Sequence, residues 1–337
     1  MTDLSIIATE TSGEAIAQSI GGEAEGIVPV SKSPTQLALR RFLRHKLAVV
    51  SLFILVLVTL AVIFAPITAR YGEDERLTTT ASNGTVIPAI NLSPRDIAWF
   101  GTGDIGHDLY SRIIWGGRVS LFIGIAVAVS SALIGTIIGS IAGFRGGLLD
   151  DMLMRVTDLF LAFPLLVALL VLRNLFAELG WMSWLFGELS SIRFMVVLLS
   201  LVGWMATARI VRGTVLSLKE REFIEAARAL GASDSRIILR HLIPNSMGPI
   251  VVAMTTTVAA AILTEATLSF FGYGVSAAEG KSSWGNLLAD ADGAITTQRW
   301  WLAVFPSLAL IITVLCINFV GDGLRDAFDP KQRRNRA

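Results

Sequence analysis

Long apolar runs separated by polar stretches dominate the pattern of this chain. Each run holds about 20 mostly apolar residues, enough for a helix to cross the roughly 30 Å hydrocarbon core of a bilayer. Asp158, Arg209 and Glu265 interrupt the later runs, so the ends of those runs are soft. The pattern predicts an all-α polytopic membrane protein with six transmembrane helices, at residues 47–66, 118–142, 152–172, 193–211, 247–271 and 301–320.

The positive charges between the runs predict an orientation. Of the 28 Lys and Arg residues, 19 lie in segments on one side of the six spans. Cytoplasmic segments of membrane proteins are enriched in Lys and Arg. We therefore expect both termini in the cytoplasm. The cytoplasmic segments would be 1–46, 212–246 and 321–337; residues 67–117 and 273–299 would lie outside, and 118–320 would form a five-helix core.

Between the fourth and fifth spans, the 212–246 loop carries a helical pattern of its own. Phe223, Ala227 and Leu230 recur at helical spacing and predict an apolar face. The opposite face is charged, with Arg221, Glu225 and Arg228.

Turn residues predict how this loop is shaped. Gly231 stands where the end of a helix requires a positive φ. Ser233 or Asp234 can cap a second short helix, and Pro244 is expected to prevent that helix from running on. Two short helices joined by a turn form a protrusion suited to a groove on a partner protein.

Composition agrees with a membrane protein. The chain is 53% hydrophobic and only 16% charged, with a mean hydropathy of +0.65, whereas soluble domains carry about 25% charged residues. A net charge of +1 gives no reason to expect nucleic-acid binding. Cys316 is the only cysteine, so an internal disulfide is excluded.

Glycines and a proline inside the spans indicate how the helices pack. Gly135, Gly139 and Gly143 recur every four residues, a spacing that lets two helices approach closely in lipid. Phe163-Pro164 lies within the third span, where proline removes a backbone hydrogen bond and should kink the helix. The kink either shapes a pathway or is only structural.

Charged residues inside the spans are candidate functional groups. Glu265 falls in the outer half of the fifth span, where a carboxylate is costly and normally faces a bundle interior or a water-filled cavity. It is either a pathway or gate residue or an interhelical hydrogen-bonding group. Arg209 and Arg212 can reach the lipid headgroups or brace the 212–246 loop.

Three local matches to ligand-binding motifs do not fit their context. Residues 101–106 fit G-x-G-x-x-G but follow no strand of a βαβ unit. Residues 274–282 resemble a phosphate-binding loop, but five residues separate the glycines where four are required. Asp104, His107 and Asp108 are more simply explained as solvated loop residues than as metal ligands. We therefore expect no catalytic residues, no metal and no cofactor bound by this chain.

Several motifs together resemble the permeases of ABC importers, in the peptide and nickel branch. The 212–246 loop resembles their EAA loop: Glu225-Ala226-Ala227, Gly231 after three residues, and Pro244 at the expected distance. Gly103 and His107 depart from that branch's usual Asp and Arg. Further similar segments are 142–147, 154–158, 162–164, 268–274, 283–286, 321–326 and 329–330.

The resemblance implies a type I ABC importer permease fold and the role of the C-type inner-membrane subunit. It implies that Glu225, Ala226, Ala227, Arg228, Gly231 and Pro244 form the coupling element that enters a cleft on an ATP-binding subunit. Glu265 and Pro164 are the candidate pathway or gate residues.

The implied partners are a second permease, two ATP-binding subunits that hold ATP and Mg, an extracytoplasmic solute-binding protein, and the bacterial inner membrane. The implied substrate is a di- or oligopeptide. Nickel complexes, opines and oligosaccharides remain open. A proton-coupled transporter with Glu265 as carrier and a membrane-embedded enzyme are the competing classes, and neither finds a supporting constellation in the sequence.

Overall fold

The computed structural model describes residues 34–81, 84–180, 191–275, 282–294 and 296–328. The expected tails lie partly outside these residues, as does most of the 274–282 segment. The chain divides into two units, 1–37 and 38–337. Of the first unit, only the opening residues of helix α1 are described.

Helices make up most of the described chain. They are α1 (Pro34–Phe42), α2 (Lys46–Ile63), α3 (Ala65–Thr68), α4 (Leu109–Arg145), α5 (Gly147–Ala162), α6 (Leu165–Glu178), α7 (Ile192–Lys219), α8 (Glu222–Ala229), α9 (Asp234–Ile237), α10 (Ile243–Phe270), α11 (Trp284–Ala289) and α12 (Trp301–Phe328). A π-helical turn, Ile238–Leu242, joins α9 to α10, and strands β1 (Thr78–Thr80) and β2 (Val86–Pro88) pair as an antiparallel hairpin.

Among the described residues, five helical segments are long and apolar enough to cross a membrane. A sixth span exists if α5 and α6 are counted together, because they are bent by 100° at residues 163–164. The bend lies where Pro164 predicts a kink, but it divides the span into helices of 16 and 14 residues. Each of these is shorter than the ~20 residues that a single crossing requires.

Helix α4 begins at Leu109, well before the expected position 118. The Asp108 side chain accepts a hydrogen bond from the backbone N–H of Ser111 at 2.9 Å and so caps the helix. Gly117 lies inside this early part, where a Cβ would come 2.9 Å from the ring of Trp284. The polar sequence before 118 therefore continues the helix out of the apolar run.

The four-residue glycine pattern of α4 packs against α7, as the sequence predicts. A Cβ at Gly135 would lie 2.7 Å from the carbonyl oxygen of Trp204, and one at Gly143 would lie 2.9 Å from that of Arg212. Gly139 approaches the backbone of Ala208 between them. The two helices are in backbone contact at three successive points, which places the C-terminal end of α4 beside the end of α7 that leads into the 212–246 loop.

The segment between β2 and α4 contains the G-x-G-x-x-G match. It forms a loop with isolated bridges, including Thr102 to Asp108, and contains no helix. Asp104 forms an ion pair with Arg299, while Asp108 caps α4. These two acids therefore have structural roles in joining the loop to its neighbours.

Candidate functional site: the 212–246 loop and the Glu265 cluster

Helix α8 ends in a glycine turn of the expected kind. Gly231 has φ +77°, its N–H donates to Arg228, and the N–H of Ala232 donates to Ala227 at 3.0 Å. This pair of bonds is a Schellman motif, which satisfies the last carbonyls of a helix and favours glycine at its left-handed position. A Cβ at Gly231 would have no atom within 4 Å, so only the backbone conformation selects glycine here.

The buried face of α8 differs from the face that the spacing predicts. Ile224 is fully buried, whereas Phe223 is 43% exposed and Leu230 is 88% exposed. Ala227 is partly buried and packs against the same apolar cluster as Ile224. The spacing predicts which positions are apolar but not which one is buried: this eight-residue helix meets the body through Ile224 and leaves its C-cap Leu230 in solvent.

Ile224 belongs to a small apolar core under the loop. Ile237 and Leu242 are also fully buried there, and they pack with α7 residues such as Val215. The Arg228 guanidinium lies 5.3 Å from the ring centre of Phe144 at the C-terminal end of α4, a cation–π contact. The loop is thereby attached to α4 and α7, while Glu225 and Ala226 remain exposed.

Pro244 does not end the second short helix, contrary to the expectation. α9, the π-helical turn and α10 form one continuous segment from Asp234 to Phe270, and Pro244 lies in the first turn of α10. Proline leaves carbonyls of the preceding turn without their usual donor. The first turn of a helix tolerates this loss, and α10 places Pro244 there. Asn245 and Ser246 add side-chain bonds of their own, to the carbonyl of His241 at 2.6 Å and to that of Leu242 at 2.8 Å.

Two ion pairs connect α7 to α5 above the loop. The guanidinium of Arg212 donates to both carboxylate oxygens of Asp150, at 2.5 and 2.7 Å, and Asp150 is only 6% exposed. Arg209 pairs with Asp158. Neither alternative stated for the two arginines names this arrangement: both pair with α5, a contact that sequence spacing within one helix does not reveal.

Glu265 is completely buried at the other end of α10. Ser269 donates to one carboxylate oxygen at 2.7 Å, and Ser120 of α4 lies 3.5 Å from the other. The Ser120 hydroxyl also accepts from the backbone N–H of Trp284 at 3.1 Å. We call these four residues the Glu265 cluster; it joins α4, α10 and α11.

Close packing reinforces the cluster. The Trp284 indole is 1% exposed and donates to the carbonyl of Ile113 at 2.8 Å. A Cβ at Gly285 would lie 2.6 Å from the Cα of Ala266. Helix α11 is therefore held against both α4 and α10 by polar and steric contacts.

Pro164 lies beside a cavity of about 460 Å³. Phe163 and Leu165 on either side of it line the cavity, and Thr264, next to Glu265, lines the opposite wall. The wall on α10 also includes Thr256 and Thr257, whose hydroxyls donate to carbonyls of their own helix. The described lining residues are uncharged and do not include Glu265, whose carboxylate contacts Ser120 and Ser269.

Comparison with known proteins agrees with this architecture. Residues 135–334 match the family model described as "Binding-protein-dependent transport system inner membrane component", and residues 33–94 match "N-terminal TM domain of oligopeptide transport permease C".

Relatives match almost the whole chain. The oligopeptide transport system permease protein OppC of Bacillus subtilis is 42% identical over 318 residues, covering 94% of this chain and 96% of that protein. The OppC protein of Escherichia coli K12 is 37% identical, covering 94% and 98%. The dipeptide permease DppC of B. subtilis is 36% identical, covering 93% and 90%. This chain therefore belongs to the binding-protein-dependent inner-membrane permease family and is a multi-pass permease subunit of an ABC importer, not itself an ATP-hydrolysing enzyme.

Proposed function

We propose that this chain forms one half of a heterodimeric pore that imports di- or oligopeptides, with both of its termini in the cytoplasm. Its relatives carry oligopeptide and dipeptide transport names. A second permease completes the pore, an extracytoplasmic solute-binding protein delivers substrate, and two partner subunits bind ATP and Mg.

The observation that carries the proposal is the exposed surface of α8. Glu225 and Ala226 face solvent with Phe223 and Leu230 nearby, while Ile224 fastens the helix to the permease body. An exposed mixture of apolar and charged side chains on a firmly seated helix is suited to protein docking. Movement of the ATP-binding subunits would reach α4 and α7 through this seat.

Pro164 and Glu265 take different parts in this proposal. The bend at Pro164 shapes one wall of the pathway, because its two neighbours line the cavity. Glu265 acts as a gate residue by fixing α11 to α4 and α10, without lining the cavity itself. Proton-coupled transport with Glu265 as carrier has no support from the family to which the chain belongs.

The test uses a tagged chain and a Glu225→Lys variant, with Asp292→Lys as a control that reverses an exposed charge beyond the other end of α10. Recovery of ATP-hydrolysing subunits and uptake of a labelled peptide are measured together. Reversing one interface charge should cost on the order of 1.4 kcal/mol or more, so uptake by Glu225→Lys should fall roughly tenfold with partial subunit recovery.

Normal uptake by Glu225→Lys would contradict the coupling role. Competition between the labelled peptide and a nickel complex, an opine or an oligosaccharide separates the substrate classes. Uptake of one of these in place of the peptide would overturn the peptide assignment while leaving the permease assignment intact.

A further inference from the structure

The corner between α1 and α2, residues 38–47, has an exposed apolar side. Leu39, Leu43 and Leu47 are 60%, 60% and 59% exposed. On the other side, Ala38 and Phe42 are buried against α12. Three exposed leucines beside the first membrane helix can be buried only by a further apolar phase, and the membrane interface is one that lies next to them.

Basic side chains alternate with these leucines. Arg40, Arg44 and Lys46 are all exposed, and no Asp or Glu occurs in the sequence from residue 33 to residue 72. A carboxylate from α12 does approach the corner: Asp326 lies 3.9 Å from His45. Exposed cations between exposed leucines match a surface with phosphate groups above acyl chains.

The corner lies on the same side of the molecule as the 212–246 loop. Arg41 donates to the carbonyl of Ala327 at 3.4 Å, at the end of α12. The ring of Phe328 packs on Gly248, where a Cβ would come within 3.1 Å. Gly248 lies one helical turn after Pro244 in α10, so the corner and the loop face the same leaflet.

We propose that residues 38–47 form a binding surface for acidic phospholipids in the leaflet adjacent to the 212–246 loop. The leucines enter the acyl region, and Arg40, Arg44 and Lys46 bind headgroup phosphates. A zwitterionic lipid satisfies only the leucines, since its net charge gives the three cations little attraction. The proposal therefore concerns selectivity for negative headgroups and does not depend on which substrate is transported.

The experiment compares binding of phosphatidylglycerol and phosphatidylcholine to the full-length chain, purified in detergent with the subunits that accompany it. Native mass spectrometry during lipid titration gives an apparent Kd for each lipid. The test variant is Arg40→Gln/Arg44→Gln. The matched control is Arg145→Gln/Arg155→Gln, which removes two other exposed arginines on α4 and α5.

The wild-type chain and the control should bind phosphatidylglycerol more tightly than phosphatidylcholine. The test variant should lose roughly 30-fold in affinity for phosphatidylglycerol, about fivefold for each charge removed. Its affinity for phosphatidylcholine should not change. These results can be obtained whether or not the chain carries peptides, so failure of the transport proposal would leave them unaffected.

Three outcomes would overturn the lipid surface. Equal binding of both lipids by wild type would show that the cations do not select, and equal losses in the two double variants would show a general effect of charge. A third outcome concerns the acidic residues Glu23 and Glu25 of the N-terminal tail. If phosphatidylglycerol binds only after deletion of residues 1–32, the tail occupies the surface instead.

Discussion

At the 212–246 loop, the polar side chains face solvent and buried isoleucines hold the helices in place. At the Glu265 cluster, the polar side chains themselves are buried and join three helices by hydrogen bonds. Both regions lie at ends of α10, yet a change in the first should be felt mainly by a partner protein. A change in the second should be felt by the fold, because buried polar groups that lose a partner are costly.

Trp284 is the residue of the Glu265 cluster whose substitution should have the largest effect on the fold. Replacing this buried indole by alanine should destabilise the protein by about 3–5 kcal/mol, since it leaves a cavity and removes the hydrogen bond to the Ile113 carbonyl. Trp300→Ala is the control, because Trp300 is 48% exposed. The yield of folded protein in detergent, by size-exclusion chromatography, should fall for the first variant only. Equal yields would mean that α11 is not held as described.

Two substitutions of Glu265 separate its role in anchoring α11 from its role in gating. Glu265→Ala leaves the hydroxyls of Ser120 and Ser269 without their acceptor, at a cost of about 1–3 kcal/mol. Glu265→Gln keeps one acceptor oxygen. We expect thermal stability to fall for Ala and to remain near wild type for Gln, with altered uptake or ATPase rate in the Gln variant. Wild-type stability and transport in both variants would dismiss both roles.

Gly231 tests the 212–246 loop, where a substitution should affect partner binding more than the fold. Valine at φ +77° would be strained by on the order of 1–3 kcal/mol, although no atom obstructs its Cβ. The strain should redirect α9, so recovery of ATP-binding subunits should fall while membrane insertion stays normal. Gly213→Val is a close control because that site is equally open but has an ordinary helical backbone. Full peptide uptake by Gly231→Val would remove this loop as the coupling element.

The smallest expected effect is a pH dependence confined to the loop before α4. His107 is buried, and this burial lowers its pKa, with a further lowering by the charges of Arg112 and Arg76; Asp74 acts in the opposite direction. An unfolded histidine titrates near pH 6.5, so the contribution of neutral His107 to folding stability is fully present above that value. As pH falls below it, the unfolded state binds more protons and stability declines until the folded pKa is passed.

Thermal unfolding measured from about pH 7.5 down to about pH 5 should show this decline, and His107→Gln should reduce it. Docking of the ATP-binding subunits through the 212–246 loop should stay constant over the same range in both proteins. An identical decline in the variant would assign the pH dependence to other groups.

Local sequence patterns predict the features of this protein that are themselves local. The apolar runs locate the membrane helices, Pro164 marks the bend, and Gly231 marks the turn. The size of the bend is not local, because proline removes one hydrogen bond while the surrounding helices decide the angle. Pro244 is misjudged for a related reason: it lies in the first turn of α10, where proline is tolerated, and the π-helical turn before it continues the helix without a break.

Contacts between distant segments escape this kind of prediction. Arg212 and Asp150 have charges that suit pairing, but only the packing of α7 against α5 brings them together. Ser120 looks like any hydroxyl in an apolar helix until it is placed between Glu265 and Trp284. Ile224 could have been identified from the sequence by considering every apolar residue of α8. It is bulky and apolar, whereas its neighbours Glu225 and Arg228 are charged and unsuited to burial.

The backbone contact between α4 and α7 restricts how the permease can move. Gly135, Gly139 and Gly143 meet carbonyls near Trp204, Ala208 and Arg212 at the same four-residue interval. Sliding one helix by a fraction of that interval would drive side chains into carbonyl oxygens, so the two helices should move together as a rigid unit. Spin-label distances across the pair should stay constant through a transport cycle. The rearrangement should occur at the bend beside Pro164, where the helix is already interrupted.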